Sequence, residues 1–433
     1  MKRVVSFFTR LCEAYLPDAF VICLLLTLVV FGLCLVFTPH SPMALIDFWG
    51  KDFWSLNGFA MQMVFVLISG HMLASTPLIK KLLNKITARI YSESQALIVM
   101  GLFSCIACWI NWGFGLIVSG ILALEIGRKL KHLNFGLLVA TAYSGFLVWH
   151  AGLSGSIPLK IAGQDEILQK VYPGLSIPLS DTIFSSLNIL ITVSCILLLP
   201  LLALWMKSDK KVAVPEIKIS EESFASNGSF RQMLEQSRWF NIIFFLIFLS
   251  YIIRSLFAGE SFDINKVNFI FLFLAILLHG NPIKFLKALQ ESFVYASDLA
   301  IQFPFYAGIM GLMQSSGLSD LLSVQLVQLA TSQTLPFLTF LSGGLVNFFI
   351  PSGGGQWVVQ GPIIMKTAHS LQADASKVAM GLAWGDAWTN LIQPFFALPL
   401  LAVAKLKLKD IMGYCLVFTF FSGILISVFL LWF

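Results

Sequence analysis

Ile350-Pro351-Ser352-Gly353-Gly354-Gly355-Gln356-Trp357 interrupts a chain otherwise built from membrane-length apolar runs. Pro351 has no backbone N–H to give, and three successive glycines suit neither a helix interior nor a strand. The limbs on either side, Leu335–Phe349 and Trp357–Ala368, are each shorter than the about 20 residues a helix needs to cross a bilayer. Together these features predict a re-entrant hairpin with its glycine tip at membrane depth. Irregular backbone survives there only when buried in protein or lining a polar cavity. A Gly-rich loop at the membrane surface is the competing reading, and the rest of the chain decides between them.

Of the 433 residues, 58% are hydrophobic and 12% charged, against about 25% charged in soluble domains. With a mean hydropathy of +0.85 and 40 phenylalanines, the chain reads as an all-α polytopic membrane protein. The net charge is +6, and the basic residues sit in short connecting segments. That is the distribution of membrane-protein loops and not of a nucleic-acid face. Cys12, Cys23, Cys34, Cys105, Cys108, Cys195 and Cys415 are odd in number and lie mostly within apolar runs, so no disulfide framework is expected. Cys105-x-x-Cys108 has no neighbouring charge to hold a thiolate and reads as packing. The run Ala19–Phe37 exceeds the about 7–15 residues of a signal-peptide core and is expected to be the first span.

Lys2, Arg3 and Arg10 place the N-terminus in the cytoplasm by the positive-inside rule. A second span over Leu56–Ala74 returns to Lys80, Lys81, Lys85 and Arg89, and the amphipathic Leu78–Ile90 lies at the interface. The run Leu97–Ile126, interrupted at Asn111-Trp112-Gly113-Phe114-Gly115, has basic residues at both ends and predicts a second re-entrant hairpin, entering from the cytoplasm. A discontinuous helix about residues 137–158, broken at Gly152–Pro158, leads to an outer loop bearing Lys160, Asp165, Glu166 and Lys170. Residues 207–238 read as a cytoplasmic linker between halves. Beyond them come a connecting span from residue 239, the hairpin at about 335–368 entering from outside, and a second discontinuous helix at about 378–404. The charge map totals roughly nine crossings plus two hairpins.

The halves echo one another. Ile110-Asn111-Trp112 matches Val346-Asn347-Phe348, and Ala142-Tyr143-Ser144-Gly145 matches Ala383-Trp384-Gly385-Asp386. Such matches recur at offsets of about 240 residues, the pattern of an internal repeat. The extra span Trp239–Phe257 reverses the second copy, so residues 1–206 and 239–433 are expected to be inverted repeats, each with a hairpin and a discontinuous helix. Paired discontinuous segments of opposite orientation belong to secondary transporters.

The interrupted segments supply the candidate site. Exposed N–H groups at half-helix N-termini attract anions, while freed carbonyls and Ser, Thr or Asn oxygens coordinate cations. The substrate-binding candidates are Asn111, Gly113, Gly115, Ser154, Gly155, Ser156, Asn347, Ser352, Gly353, Gly354, Gly355, Gln356, Thr389 and Asn390. Neither hairpin tip carries Lys or Arg, so a small monovalent anion would be met by dipoles and a co-transported cation, either Na+ near Asn111, Asn347 and Ser352 or H+. Asp386 is the preferred coupling residue, because intramembrane acids are costly and functional. Asp298 and His150 also sit in apolar surroundings: Asp298 reads equally as structural polar packing or as a functional acid, and His150 more simply as packing. Trp112, Phe114, Trp357, Trp388 and Phe395 are candidates to enclose a short apolar tail. Enzyme and ATPase motifs are missing: the glycines lack the Gly-Lys-Ser/Thr of a phosphate loop, and there is neither H-E-x-x-H nor G-x-S-x-G. An anion channel would have little need of two inverted, non-identical broken halves, and a carrier of another small organic anion stays open.

Pro351-Ser352-Gly353-Gly354-Gly355-Gln356-Trp357-Val358-Val359-Gln360-Gly361-Pro362 resembles the signature stretch of the short-chain fatty acid transporter family. Ile110–Gly115, Gln302-Phe303-Pro304-Phe305-Tyr306-Ala307-Gly308 and Asp410–Cys415 are similar to other stretches of that family, and the resemblance runs from Leu16-Pro17-Asp18 to the C-terminus. It implies uptake of butyrate, acetoacetate or similar acids across a bacterial inner membrane. Through the wider ion-transporter superfamily it also implies a homodimer and an elevator motion of a transport domain against a scaffold.

Overall fold

A computed structural model describes residues 7, 17, 19–163, 165–207, 230–258, 264–293, 296–327, 330–351 and 353–433. Among them the secondary structure is helical, with no strand. In chain order the helices are α1 (Ala19–Phe37), α2 (Pro42–Asp52), α3 (Asn57–Ala74), α4 (Pro77–Ala88), α5 (Glu93–Ile110), α6 (Trp112–Lys129), α7 (Phe135–Ser144), α8 (Ser156–Ile161), α9 (Glu166–Val171) and α10 (Ser186–Trp205). The second half has α11 (Phe230–Glu235), α12 (Arg238–Phe257), α13 (Ile264–His279), α14 (Pro282–Phe293), α15 (Ser297–Ser315) and α16 (Leu318–Val327). It continues with α17 (Leu335–Asn347), α18 (Gly353–Leu371), α19 (Ala375–Asn390), α20 (Pro394–Ala404) and α21 (Leu408–Trp432). Most of the expected linker lies outside the described residues.

Among the described residues five helices are long and apolar enough to cross a membrane, or seven if the bent pairs α3–α4 and α19–α20 each count as one span. That is fewer than the roughly nine crossings the charge map suggests. The shortfall has a local cause: α13 has 16 residues, short of the about 20 needed, and α15 carries Asp298, Gln302 and Gln314 among its apolar residues. The Asp298 side chain lies outside the described residues. The expected interfacial helix is α4, bent 71° from α3. A similar short helix, α14, follows α13 in the second half. Both open on proline, whose missing N–H costs nothing in a first turn.

The hydrogen bonds sort the loops into two ends. At one end, Lys129 Nζ donates to the carbonyls of Thr87 and Ala88, each at 2.9 Å. There too Asn134 N donates to Glu93 Oε1 at 2.9 Å and Asn134 Nδ2 to Tyr414 OH at 2.8 Å. At the other end, Lys377 Nζ reaches the Phe433 carbonyl oxygen at 2.6 Å. Beside it a cavity of about 400 Å³ is lined by Ser185, Asn188, Asp374, Lys377 and Trp384 among others. Helices α5 and α6 form a hairpin whose feet are tied at the first end. Helices α17 and α18 form a hairpin with its feet near the second. The hairpins therefore open in opposite directions, as the charge map requires.

Within each half the first hairpin limb packs closely along the discontinuous helix that follows it. A Cβ on Gly145 would press on the Ser104–Cys105 backbone, and one on Gly385 would collide with the Phe340 carbonyl. Glycine at both positions lets two backbones meet without a side chain between them.

Candidate substrate and coupling site

Between α7 and α8 the chain tightens into a 3-10 turn over Gly145–Val148 and then leaves helical geometry until Ser156. The break therefore begins earlier than Gly152. The turn at residues 149–156 receives both hairpin tips. From the first hairpin, Trp109 Nε1 donates to the Ala151 carbonyl at 3.1 Å and Trp112 N to Ser154 Oγ at 3.0 Å. From the second, Gly353 lies so close to His150 and Ser156 that a Cβ there would strike both side chains.

His150 is fully buried and stacks on Trp149, with ring centroids 4.1 Å apart. Its Nε2 accepts from Ile157 N at 3.1 Å and lies 3.2 Å from Ser156 Oγ. An Nε2 that accepts a backbone N–H carries no proton, so the neutral ring is protonated at Nδ1. That nitrogen faces Asp386 Oδ1 at 3.6 Å, and both side chains are inaccessible to solvent. His150, which read more simply as packing, is the nearest titratable partner of the expected coupling acid. No sequence spacing relates the two, because they meet only through the packing of one half on the other.

Asp386, Thr389 and Asn390 fall at i, i+3 and i+4, on one face of α19. Asn347, the last residue of α17, spans all three. Its Nδ2 lies 3.0 Å from the Asp386 carbonyl, 3.0 Å from Thr389 Oγ1 and 2.6 Å from Asn390 Oδ1. Thr389 Oγ1 donates to the Gly344 carbonyl at 2.9 Å, and Asn390 Nδ2 to Asp386 Oδ1 at 3.1 Å. On α18, Gln356 Nε2 donates to the Gly343 carbonyl at 2.6 Å and to Gln360 Oε1 at 2.7 Å. Gln360 in turn donates to Ser342 Oγ at 2.8 Å. A ladder of buried amides thus zips the second hairpin shut. It leaves three buried oxygens without a partner, Asp386 Oδ2, Asn347 Oδ1 and Gln356 Oε1.

The expected site divides in two. Ser156, Asn347, Gly353, Asp386, Thr389 and Asn390 come together around His150. Asn111 and Ser154 belong instead to the first hairpin's turn, where Asn111 Oδ1 caps α6 by accepting from Phe114 N at 2.9 Å. Gly113 is buried in the first turn of that helix, and Gly115 packs against the Cys108 backbone. Gly155 precedes α8 with its Cα against the His150 carbonyl. Ser352 lies outside the described residues. The three glycines are not an irregular tip: α18 starts at Gly353, so Gly353, Gly354 and Gly355 form its first turn. The first turn of a helix lacks intrahelical N–H acceptors in any case, which lowers the penalty that glycine carries in a helix interior. A Cβ on Gly354 would meet open space. Likewise, the interruption at 111–115 shrinks to Asn111 alone. Of the charged residues of the expected outer loop, Lys160 is exposed, whereas Asp165 is buried and accepts from Trp357 Nε1 at 3.2 Å. Trp357 is thereby committed to a structural bond.

The cation expectation can be tested on donor chemistry. Hard cations take oxygen ligands, and the unpartnered atoms near Asp386 and Asn347 include three oxygens, one of them on a carboxylate, beside the protonated Nδ1 of His150. They suit a monovalent cation, whereas Asn111, with its oxygen spent on a cap, does not join them. Among the described residues no group of three His, Cys, Asp or Glu side chains is placed to hold a metal ion.

The profile of the short chain fatty acid transporter family matches residues 1–433. The chain belongs to this family. A short-chain fatty acid transporter of Escherichia coli K12 is 38% identical over 432 residues, covering 98% of each chain. One from Haemophilus influenzae Rd is 36% identical over 437 residues at the same coverage. The family is one of transporters, not enzymes, and its members handle a small-molecule substrate from within the membrane. Among solved structures, the YdaH transporter of Alcanivorax borkumensis aligns over 96% of this chain and 97% of its own, at 16% identity and a TM-score of 0.47. MtrF of Neisseria gonorrhoeae, described as an antimetabolite efflux pump, aligns over 98% and 97% at 15% identity with a TM-score of 0.39. Neither likeness is strong enough to argue from.

Proposed function

We propose that this member of the family is a secondary transporter that takes up butyrate, acetoacetate or similar monocarboxylates across a bacterial inner membrane. Uptake is coupled to a cation, Na+ or H+, held at Asp386. The observation that carries the reading is the convergence of two oppositely opening hairpins on one buried turn, residues 149–156. A site approached from each end by its own hairpin is what alternating access needs. The inverted-repeat reading draws support from the paired seams at Gly145 and Gly385. In each half the discontinuous helix runs beside its hairpin's first limb, Ser104 by Gly145 and Phe340 by Gly385. Asp386 and the three unpartnered oxygens supply the negative surroundings in which a cation can be desolvated. On this reading the hairpins and discontinuous helices move together as the transport domain of a homodimer, and the N-terminus is cytoplasmic.

The test is uptake of labelled butyrate by purified protein in liposomes under an imposed Na+ or H+ gradient. Accumulation should follow one gradient, and unlabelled butyrate inside should accelerate entry of label by counterflow. Failure of every short monocarboxylate to accumulate under either gradient defeats the proposal, and flux without counterflow would mean a pore.

A further inference from the structure

The cluster around Asp386 is rich in unpartnered acceptors, and an anionic substrate needs the opposite. Among the described residues, buried donors lie unpartnered on facing elements at the break of the second discontinuous helix, against α15. Gln393, fully buried, caps α20 with its Oε1, which accepts from Phe395 N at 2.7 Å. That bond fixes the amide, and its Nε2 is left without an acceptor. Tyr306, 2% exposed on α15, faces the Gln393 side chain, and its hydroxyl has no partner meeting hydrogen-bond geometry. Even a bond between the two would leave protons unspent, because the amide offers two hydrogens and the phenol one. Buried donors without acceptors destabilise a fold, so a group that satisfies both is expected in the working protein.

We infer that Tyr306 and Gln393 bind the carboxylate of the transported acid, with the phenol O–H and the amide N–H donating to its oxygens. This assignment rests on the transport reading above. Residues 391–397 and 302–306 contain no Lys or Arg, so the anion is held by neutral donors. The positive end of α20, which begins at Pro394 directly after Gln393, adds its dipole. Neutral donors bind a monovalent anion without the penalty for release that a buried ion pair imposes. The surroundings fit a short apolar chain. The Phe395 ring meets Tyr306 edge-on at 5.0 Å, Phe303 at 4.6 Å and Phe396 at 5.1 Å. Gln393 lies three residues beyond Asn390 in sequence, so the anion's donors and the cation's acceptors flank the same break. Occupation of both would compensate charge across a few residues.

Two variants test the assignment. Tyr306→Phe removes only the hydroxyl and keeps the ring on Phe395. Gln393→Glu keeps an oxygen to cap Phe395 N–H but replaces the donor with an acceptor. In butyrate uptake Tyr306→Phe should raise the half-saturation concentration about tenfold or more, as for loss of a hydrogen bond to a charged group, with the maximal rate changed far less. Gln393→Glu should abolish saturable uptake, and butyrate-dependent thermal stabilisation of the purified protein should fall in parallel. If a buried water alone occupies the donors, both variants will leave the half-saturation concentration and the stabilisation by butyrate at their wild-type values, and the assignment is overturned. Should the wild type transport no short acid, the transport reading fails by itself. Butyrate stabilisation then still tests the site, since binding that survives in both variants refutes it.

Discussion

The two hairpins have the same plan and different chemistry. The first turns on a single residue, Asn111, whose side chain caps the very helix it begins. Its limbs meet through small and apolar side chains, with Gly115 against Cys108. The second leaves helical geometry at residues 348–351 and buries a ladder of amides, Gln356, Gln360 and Asn347, with two amide oxygens left over. A buried polar group without a partner is expensive; among the described residues the second hairpin keeps Asn347 Oδ1, Gln356 Oε1 and Thr339 Oγ1 in that state and the first only Ser119 Oγ, so the two share the labour unequally. The first hairpin reads as frame and the second as the part that answers a ligand. The discontinuous helices divide likewise: the first places a histidine at its break and the second an aspartate one turn before its break, and the two face each other at 3.6 Å.

The hardest test of the comparison is applied at the seams the halves share. Gly145→Val and Gly385→Val would each drive a branched side chain into backbone, into Ser104–Cys105 in one case and Phe340 and Gly344 in the other. Each substitution is expected to destabilise the protein by about 3 kcal/mol or more, read as a lower melting temperature and poor recovery in detergent. Equal losses would mean that both halves depend on the same close approach. A tolerant Gly145 with an intolerant Gly385 would break the equivalence of the two seams.

Next in size is Asp386→Asn. The amide is close in volume, and the bond from Asn390 can be kept, but the charge facing His150 and any cation is lost. Gradient-driven butyrate uptake should fall by about tenfold to a hundredfold, the range for losing a hydrogen bond to a charged group. The protein should remain folded by size-exclusion chromatography. Uptake that keeps its gradient dependence in a well-folded Asp386→Asn protein would remove the residue from coupling.

Gln356→Leu tests the amide ladder itself. It deletes the bonds to the Gly343 carbonyl and Gln360 and also an unpartnered oxygen. The net loss should be about 1 to 3 kcal/mol, because the Gly343 carbonyl and Gln360 each lose one donor while the unpartnered Oε1 is removed as well. If Gln356 serves only the zipper, uptake will track stability. If Oε1 faces the coupled cation, the ion's half-saturation concentration will rise beyond what lost stability explains.

How far the sequence alone could see depends on the range of the interactions concerned. Hydropathy and charge are local, and they located α1, α3 and α12 to within a few residues. The same map placed the hairpin feet at opposite ends. The acidic residue in a broken apolar run announced itself for the same reason, since Asp386 is costly wherever it lands. The glycines of 353–355 misled because a propensity that opposes helix interiors says little about a first turn. His150, Tyr306 and Gln393 went unrecognised for a different reason. Each becomes significant only by what another element brings to it: α19 to His150, and the break at 391–393 to Tyr306. A weak local signal did exist, in Gln302 and Tyr306 one turn apart on an apolar helix and in a glutamine immediately before Pro394. Both patterns are equally those of ordinary packing and capping.

The smallest expected effect lies in the first hairpin and bears most directly on its role as frame. Asn111→Ala removes the oxygen that caps α6 and leaves the Phe114 N–H without its acceptor. Loss of such a cap costs about 1 kcal/mol. If the first hairpin is frame alone, the variant should lose that stability while its half-saturation concentrations for butyrate and for the coupled cation stay at wild-type values. The turn around it is braced independently by the bond from Trp112 N to Ser154 Oγ and by Trp109 holding the Ala151 carbonyl, so a modest loss should remain local. A large change in either half-saturation concentration would mean that Asn111 reaches substrate or ion at another stage of transport. The two hairpins would then be alike in chemistry as well as in plan.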